Sequence, residues 1–182
     1  MTNSFNFIIR DGLKSDITAC TELDLSYETD HVWQMTVHRA SDQHSVMFQT
    51  TRLPRLMSVD PPKHQFRLVL ASQQCFLVAV GRDEPQMLGY LVMQQDPVNK
   101  IALIREIAVD RPFRHRRIGT RLINVARQWA TERDLEQITI EVPTKNYPAI
   151  LFCQNLGLTF CGFNDQYFQN QDIAVFFGQT LR

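Results

Sequence analysis

Residues 105–121, REIAVDRPFRHRRIGTR, set five arginines (Arg111, Arg114, Arg116, Arg117 and Arg121) between an apolar run ending at Val109 and an amphipathic run opening at Ile118. A helix beginning at Ile118 presents unpaired N–H groups and the positive end of its dipole to the preceding turn, which is the chemistry of a phosphate site. Gly119 permits close approach of another backbone. The plain alternative is a solvated basic start to a helix. Two carboxylates, Glu106 and Glu141, fall within apolar strand-like runs, where burial can suit a carboxylate to take a proton. Cys153 offers a thiol, but no histidine lies near it in sequence to activate it as a nucleophile.

The elements that must position these groups follow from periodicity. Residues 5–10 read as a short strand, and Ser15 can cap a helix over residues 16–25. Trp33, Met35 and Val37 alternate with Gln34, Thr36 and His38. A second alternating run starts at Val46 and Phe48, so the pair reads as a β-hairpin. Residues 53–63, with Pro54, Pro61 and Pro62, read as a loop, and residues 64–72 as a short helix. Strands follow at residues 75–80, 87–93 and 101–109. Ile118, Leu122, Val125 and Trp129 then share one face of a helix ending near Glu132. Ile138, Ile140 and Val142 mark another strand, with Glu141 on its opposite face. Pro148 suits the first turn of a helix with Ala149, Phe152, Cys153 and Leu156 as its apolar residues, and Gly157 suits its stop. Strands at residues 159–163 and 173–179 close the chain. This order predicts an α/β (α+β) fold: a mixed, mainly antiparallel central sheet with flanking helices and an N-terminal β-hairpin.

The spacing Val109–x4–Arg114–x4–Gly119, between a strand and an amphipathic helix, resembles the acetyl-coenzyme A motif of the GNAT N-acetyltransferase superfamily. Arg117 stands where that motif usually has its first glycine; its N–H can still donate if φ stays negative. A second block, NYPAILFCQNLGL from Asn146, is similar to the family's Asn, Ala, aromatic and Leu-Gly pattern. The resemblance covers about residues 75–180. Thr29, Asp30, His31, Val32 and the segment GLTFCG from Gly157 extend it toward the streptothricin acetyltransferase branch.

The resemblance implies a single domain over residues 1–182, with residues 1–72 on the acceptor side and 73–182 binding acetyl-CoA. It implies direct attack of a primary amine, from a small cationic acceptor, on acetyl-CoA in a ternary complex. The pantetheine would pair with backbone at Ile107, Ala108 and Val109, and the pyrophosphate would lie on the amides of Arg114, His115, Arg116, Arg117, Ile118, Gly119 and Thr120. Asn146, Ala149, Phe152 and Cys153 would complete the coenzyme side. Glu141 is the candidate general base, with Glu106 as runner-up. Cys153 occupies the position of a family tyrosine acid, although a plain core role is expected for it; Tyr147 and Tyr167 are alternative proton donors. Glu28, Asp30 and Trp33 would face the acceptor. The alternatives are a protein N-terminal or lysine acetyltransferase and a coenzyme-A-binding sensor without catalysis.

Composition narrows the classes. Nineteen basic and nineteen acidic residues cancel, which argues against nucleic-acid partners and a membrane surface. Four scattered cysteines with no metal-ligand spacing argue against a metal site and a disulfide framework. Neither a signal peptide nor an apolar span is visible, so a cytoplasmic setting is expected. A homodimer is among the assemblies left open.

Overall fold

The computed structural model describes residues 6–61 and 75–181. The helix expected at residues 64–72 lies outside the described residues. By internal contacts the chain divides into two compact units, Met1–Ser26, Asp60–Glu141 and Gly178–Arg182 in the first, and Tyr27–Val59 and Val142–Phe177 in the second.

In the first unit the hydrogen-bonded order is β1 (Phe7–Asp11), β4 (Cys75–Gly81), β5 (Met87–Asp96), β6 (Ile101–Val109) and β7 (Gln137–Pro143), the last as far as Glu141. Pairing is antiparallel from β1 to β6 and parallel between β6 and β7, the mixed, mainly antiparallel arrangement expected. β4 and β5 are buried over most of their length, as strands covered on both faces must be. Gly89 lets β5 and β6 close together near Val109, since a Cβ there would sit 2.5 Å from the Ala108 carbonyl oxygen.

Two helices flank these strands. α1 (Asp16–Thr21) is shorter than expected, and Ser15 makes no side-chain cap. Instead Asp16 accepts the Leu13 N–H at 2.8 Å and pairs with Arg10 at 2.7 Å, so the carboxylate organises the turn. α2 (Ile118–Thr131) buries Ile118, Leu122, Ile123, Ala126 and Ala130. Small Ala126 and Ala130 on the packed face rotate the buried stripe, leaving Val125 and Trp129 at its margin. Trp129 carries the Arg133 guanidinium 3.8 Å above its ring.

The second unit contains the ribbon of β2 (Tyr27–Arg39) and β3 (His44–Val59), the helix α3 (Tyr147–Asn155), the strand β8 (Thr159–Asn164) and, beside it, the first part of β9 (Ala174–Thr180), up to Phe177. The ribbon is the expected hairpin, but β3 runs through most of the segment expected as a loop. Residues 53–59 are strand, while Pro62 and Lys63 lie outside the described residues. Pro54 is tolerated because the register slips there: Thr29 faces Met57 whereas His31 faces Arg52. Its missing N–H therefore removes no rung of the ladder. Trp33 anchors the ribbon, with ring centroids 6.0 Å from Phe48, 5.9 Å from Phe160 and 5.6 Å from Phe177.

Candidate active site

The turn between β6 and α2 is built from residues with little conformational freedom. Asp110 continues the β5–β6 ladder through its N–H to the Leu88 carbonyl, 2.9 Å, and Pro112 then sets a single 3-10 turn over Arg111–Phe113. His115 and Arg117 both adopt left-handed backbone, each with φ 62°. The requirement for negative φ at Arg117 is therefore not met. The conformation is the one glycine adopts without strain, which gives a physical reason for glycine at this place in the motif. Arg117 is the N-cap of α2, with no side-chain cap and no acidic residue in the first turn. No side chain of Arg117 therefore caps the first turn of α2, and the Ile118 side chain at the helix start is buried.

The arginines that draw attention in the sequence have separate duties. Arg114 donates to three carbonyls: Val109 at 3.0 Å, Ser26 at 2.7 Å and Asp24 at 3.2 Å. Burial pulls its pKa down from the usual arginine value, without threatening its charge. Arg111 binds the Ser26 hydroxyl at 3.1 Å, and Arg116 lies 5.6 Å over the Phe113 ring. Arg117 and Arg121 are exposed. The linker before β2 is fastened to the turn from its own side as well, with the Asp24 N–H on Asp110 Oδ1 at 2.9 Å and the Arg111 N–H on the Asp24 carbonyl at 3.0 Å. Bonds from Ser26, and the charges of Arg111 and Arg114, hold the Asp24 carboxyl below the usual range. Glu22, Leu23, Asp24, Leu25, Asp60 and Pro61 line a cavity of about 250 Å³ beside this linker.

The register of β6 against β7 ends at Ile104 and Ile140, although β6 runs on to Val109. Ile107, Ala108 and Val109 thus lie past the last paired rung. The Val109 carbonyl is occupied by Arg114. On the β5 side, Val92 faces Glu106 and Met93 faces Ile104, so Arg105 is the extra residue of a bulge. A bulge re-aims side chains. Here Arg105 reaches Glu141 across to β7, Nη1 to Oε2 3.0 Å, and the Glu141 side chain is only 7% exposed. Glu106 accepts the hydroxyl of buried Tyr90 at 2.6 Å. Burial and Glu106 push the Tyr90 phenol well above its ordinary pKa.

In the second unit Asn146 caps α3, its Oδ1 accepting the Ala149 N–H at 3.2 Å, and Tyr147 is the first helical residue. Cys153 is fully buried, and burial pushes its thiol up to about 12. Phe152 is half-buried, Glu28 is exposed, and Trp33 is spent on the aromatic cluster. Asp30 meets His31 at 2.7 Å, and the His31 ring lies 5.3 Å from that of Tyr147.

Within the first unit, then, the structure gathers residues 105–120 with Glu141; within the second it gathers Asp30 and Tyr147 around His31. Sequence reading gave no role to Arg105 or Tyr90 and took His31 only as part of the resemblance. The first two carry no local signal, because their partners are 36 and 16 residues away. For His31 the signal was the adjacent Asp-His pair on a strand opposite a proline.

Residues 33–158 match the acetyltransferase (GNAT) family. A 92-residue segment is 32% identical to streptothricin acetyltransferase of Streptomyces lavendulae, covering 50% of this chain and 48% of that enzyme. Another of 88 residues is 32% identical to N-alpha-acetyltransferase 30 of Xenopus laevis, covering 47% of this chain and 31% of that protein. The matched segments therefore span less than half the length of either relative. The fold is similar to the crystal structure of nourseothricin acetyltransferase, with TM-score 0.84 and 22% identity over 97% of this chain and 99% of that one. It is also similar to a protein of Bacillus anthracis described as a streptothricin acetyltransferase, crystallised with acetyl coenzyme A, with TM-score 0.75 and 21% identity over 98% and 99%. Among the described residues no helix is long and apolar enough to cross a membrane.

Proposed function

The chain belongs to the acetyltransferase (GNAT) family, and on that premise we propose that it transfers the acetyl group of acetyl-CoA to a primary amine of a small cationic acceptor. The observation that carries the donor half is the turn before α2. Two non-glycine residues held at positive φ, over uncapped helix amides, are a costly arrangement that suits an anionic ligand. The pyrophosphate rests on the backbone of Arg114, His115, Arg116, Arg117, Ile118, Gly119 and Thr120. The pantetheine adds along Ile107, Ala108 and Val109, past the end of the β6–β7 register, as an extended peptide adds to a sheet. Arg114 shapes this cradle through its carbonyl bonds rather than by touching the donor.

The amine attacks the thioester directly. The oxyanion is stabilised by a β6 amide and the thiolate leaves. Glu141 and Glu106 serve as fixed carboxylates that attract the cationic acceptor. Each already holds a partner, and protonating Glu141 would forfeit its bond to Arg105. Cys153 is core: its buried thiol makes a poor proton donor to a thiolate. Asn146 orders the first turn of α3, and Tyr147 beside it is the proposed donor to the departing sulfur.

The resemblance to streptothricin and nourseothricin acetyltransferases favours an antibiotic-type polyamine as acceptor. The similarity to N-alpha-acetyltransferase 30 supports a second reading, a peptide N-terminus as acceptor. One experiment separates them. Acetyl-CoA should raise the melting temperature by mass action, and thiol release is then followed on a streptothricin, on polyamines and on short peptides. Absence of any melting shift at millimolar acetyl-CoA would remove the donor assignment. Turnover of peptides alone would favour the second reading.

A further inference from the structure

Tyr90 is 1% exposed in β5, so its hydroxyl has to find a partner inside the protein. The register of β5 on β6 supplies one. Tyr90 faces Ala108 and Val92 faces Glu106, which puts all four side chains on one face of the sheet. Small Ala108 leaves the ring room to lean along the strand. The phenol thus reaches the diagonal neighbour Glu106, with Oη 2.6 Å from Oε1. That is the separation of a hydroxyl donating to a charged oxygen. Burial and the carboxylate push the phenol well above its ordinary pKa, so it keeps its proton and remains a donor.

The two carboxylates of the proposed site are therefore not equivalent. Glu141 is ion-paired with Arg105 at 3.0 Å, which offsets its charge. Glu106 is held by a neutral group instead. Among the described residues no basic side chain pairs with Glu106, and the Tyr90 bond leaves its Oε2 without a partner. Glu106 is half-buried and directly precedes Ile107, on the part of β6 that runs past the last rung to β7. On its face of the sheet Tyr90, Val92 and Ala108 form one core cluster with Cys20 and Leu23, and Leu25 packs against it. Leu23 and Leu25 also line the cavity of about 250 Å³ beside the linker. An uncompensated carboxylate thus stands on the cavity side of the strand proposed to carry the thioester, and all of these residues belong to the first unit.

We propose that Tyr90 is a positioning residue that sets the affinity for the cationic acceptor, its phenol holding Glu106 in one rotamer with the full negative charge; this rests on the acetyl-transfer reading above. The neutrality of the donor is the point of the arrangement. A lysine or arginine in its place would fix the carboxylate and cancel its charge, as Arg105 does for Glu141. Tyr90 touches neither acetyl-CoA nor the acceptor and acts through Glu106 alone.

The test uses the full chain at saturating acetyl-CoA, with thiol release followed on a streptothricin and on spermidine. Tyr90→Phe removes only the hydroxyl and should raise KM for these cations about tenfold, the worth of one hydrogen bond to a charged group. It should change kcat by less than about threefold and keep the melting shift produced by acetyl-CoA. Glu106→Gln should raise KM at least as much. In the double variant Tyr90→Phe should add less than about twofold, because the two groups act as one. A merely structural tyrosine would add the same factor in both backgrounds, and that result overturns the proposal. Glu106→Asp keeps the charge but draws it back from the phenol by one methylene, so it should raise KM nearly as much as Tyr90→Phe. If Tyr90→Phe does not fold, Glu106→Asp carries the readout. A KM within about threefold of wild type in whichever of these carries the readout overturns the proposal, as does a loss confined to kcat. A wild-type protein that releases no thiol with any amine removes the acetyl-transfer reading, and this inference with it.

Discussion

Arg117 is the position where a substitution toward the family pattern should make the protein more stable. Its φ of 62° and ψ of 12° are left-handed, a region that costs a residue bearing a Cβ about 1–2 kcal/mol. Glycine enters the region freely, but its extra freedom in the unfolded chain takes back about 0.4–1 kcal/mol. Arg117→Gly should therefore stabilise by about 1 kcal/mol, which for a chain of this length raises Tm by about 2–4 °C. Removing a cation from the positive end of α2, one turn before Arg121, acts in the same direction and fades with salt. Arg117→Ala separates the terms, since it removes the charge and keeps the strained backbone. Thermal melts of the ligand-free protein at low and high salt should rank glycine above alanine by about 1 kcal/mol, the reverse of the order inside a helix. Alanine equal to or better than glycine would refute the backbone argument. Because the proposed grip uses amides, the melting shift given by acetyl-CoA should survive in both variants.

Arg114→Lys gives up two of three carbonyl bonds and should cost about 2 kcal/mol, read as a Tm lower by several degrees; a Tm within a degree of wild type would show the clamp to be dispensable. Cys153→Ala should keep kcat within about tenfold while costing on the order of 1 kcal/mol in packing, measured by initial rates and melts on the same preparation. Glu141→Gln should raise KM for a polycationic amine more than it lowers kcat, and a kcat loss of about a hundredfold or more would make Glu141 the proton acceptor instead. Burial pushes the Cys20, Cys75 and Cys153 thiols up from 9.0 to about 12. The unfolded chain releases these protons first, so their contribution is full below pH 9 and is lost as pH rises toward 12. Urea titrations should show stability falling in that window with a slope of up to about 4 kcal/mol per pH unit; a flat profile would mean that the thiols are not protected.

Local pattern was enough for every element whose cause is local. The alternation of Ile138, Ile140 and Val142, the Asn146–Pro148 start and Gly157 stop of α3, and the run from β6 through the basic turn to α2 each depend on neighbours within a few residues. The strand–turn–helix that carries the proposed phosphate site was legible for the same reason, since helix-end amides are a property of the backbone. Two local readings still failed. Ser15 lost its cap to the Asp16 carboxylate, and Pro54 sits within a strand because the β2–β3 register slips there, leaving residues 53–56 opposite Asp30 alone.

What only the tertiary structure decided is how each polar side chain is spent. Arg114 has the spacing of a phosphate ligand, yet its guanidinium is consumed by carbonyls 88 and 90 residues away. Glu141 acquires Arg105 because β6 and β7 run parallel with β6 bulged. Asp30 and His31, which simple alternation would send to opposite faces, meet because the ribbon slips register. Sequence order sets which groups are available, through periodicities that act within a turn or a strand. Strand pairing brings distant residues to hydrogen-bond distance, and that long-range geometry decides which of the groups are left over for chemistry.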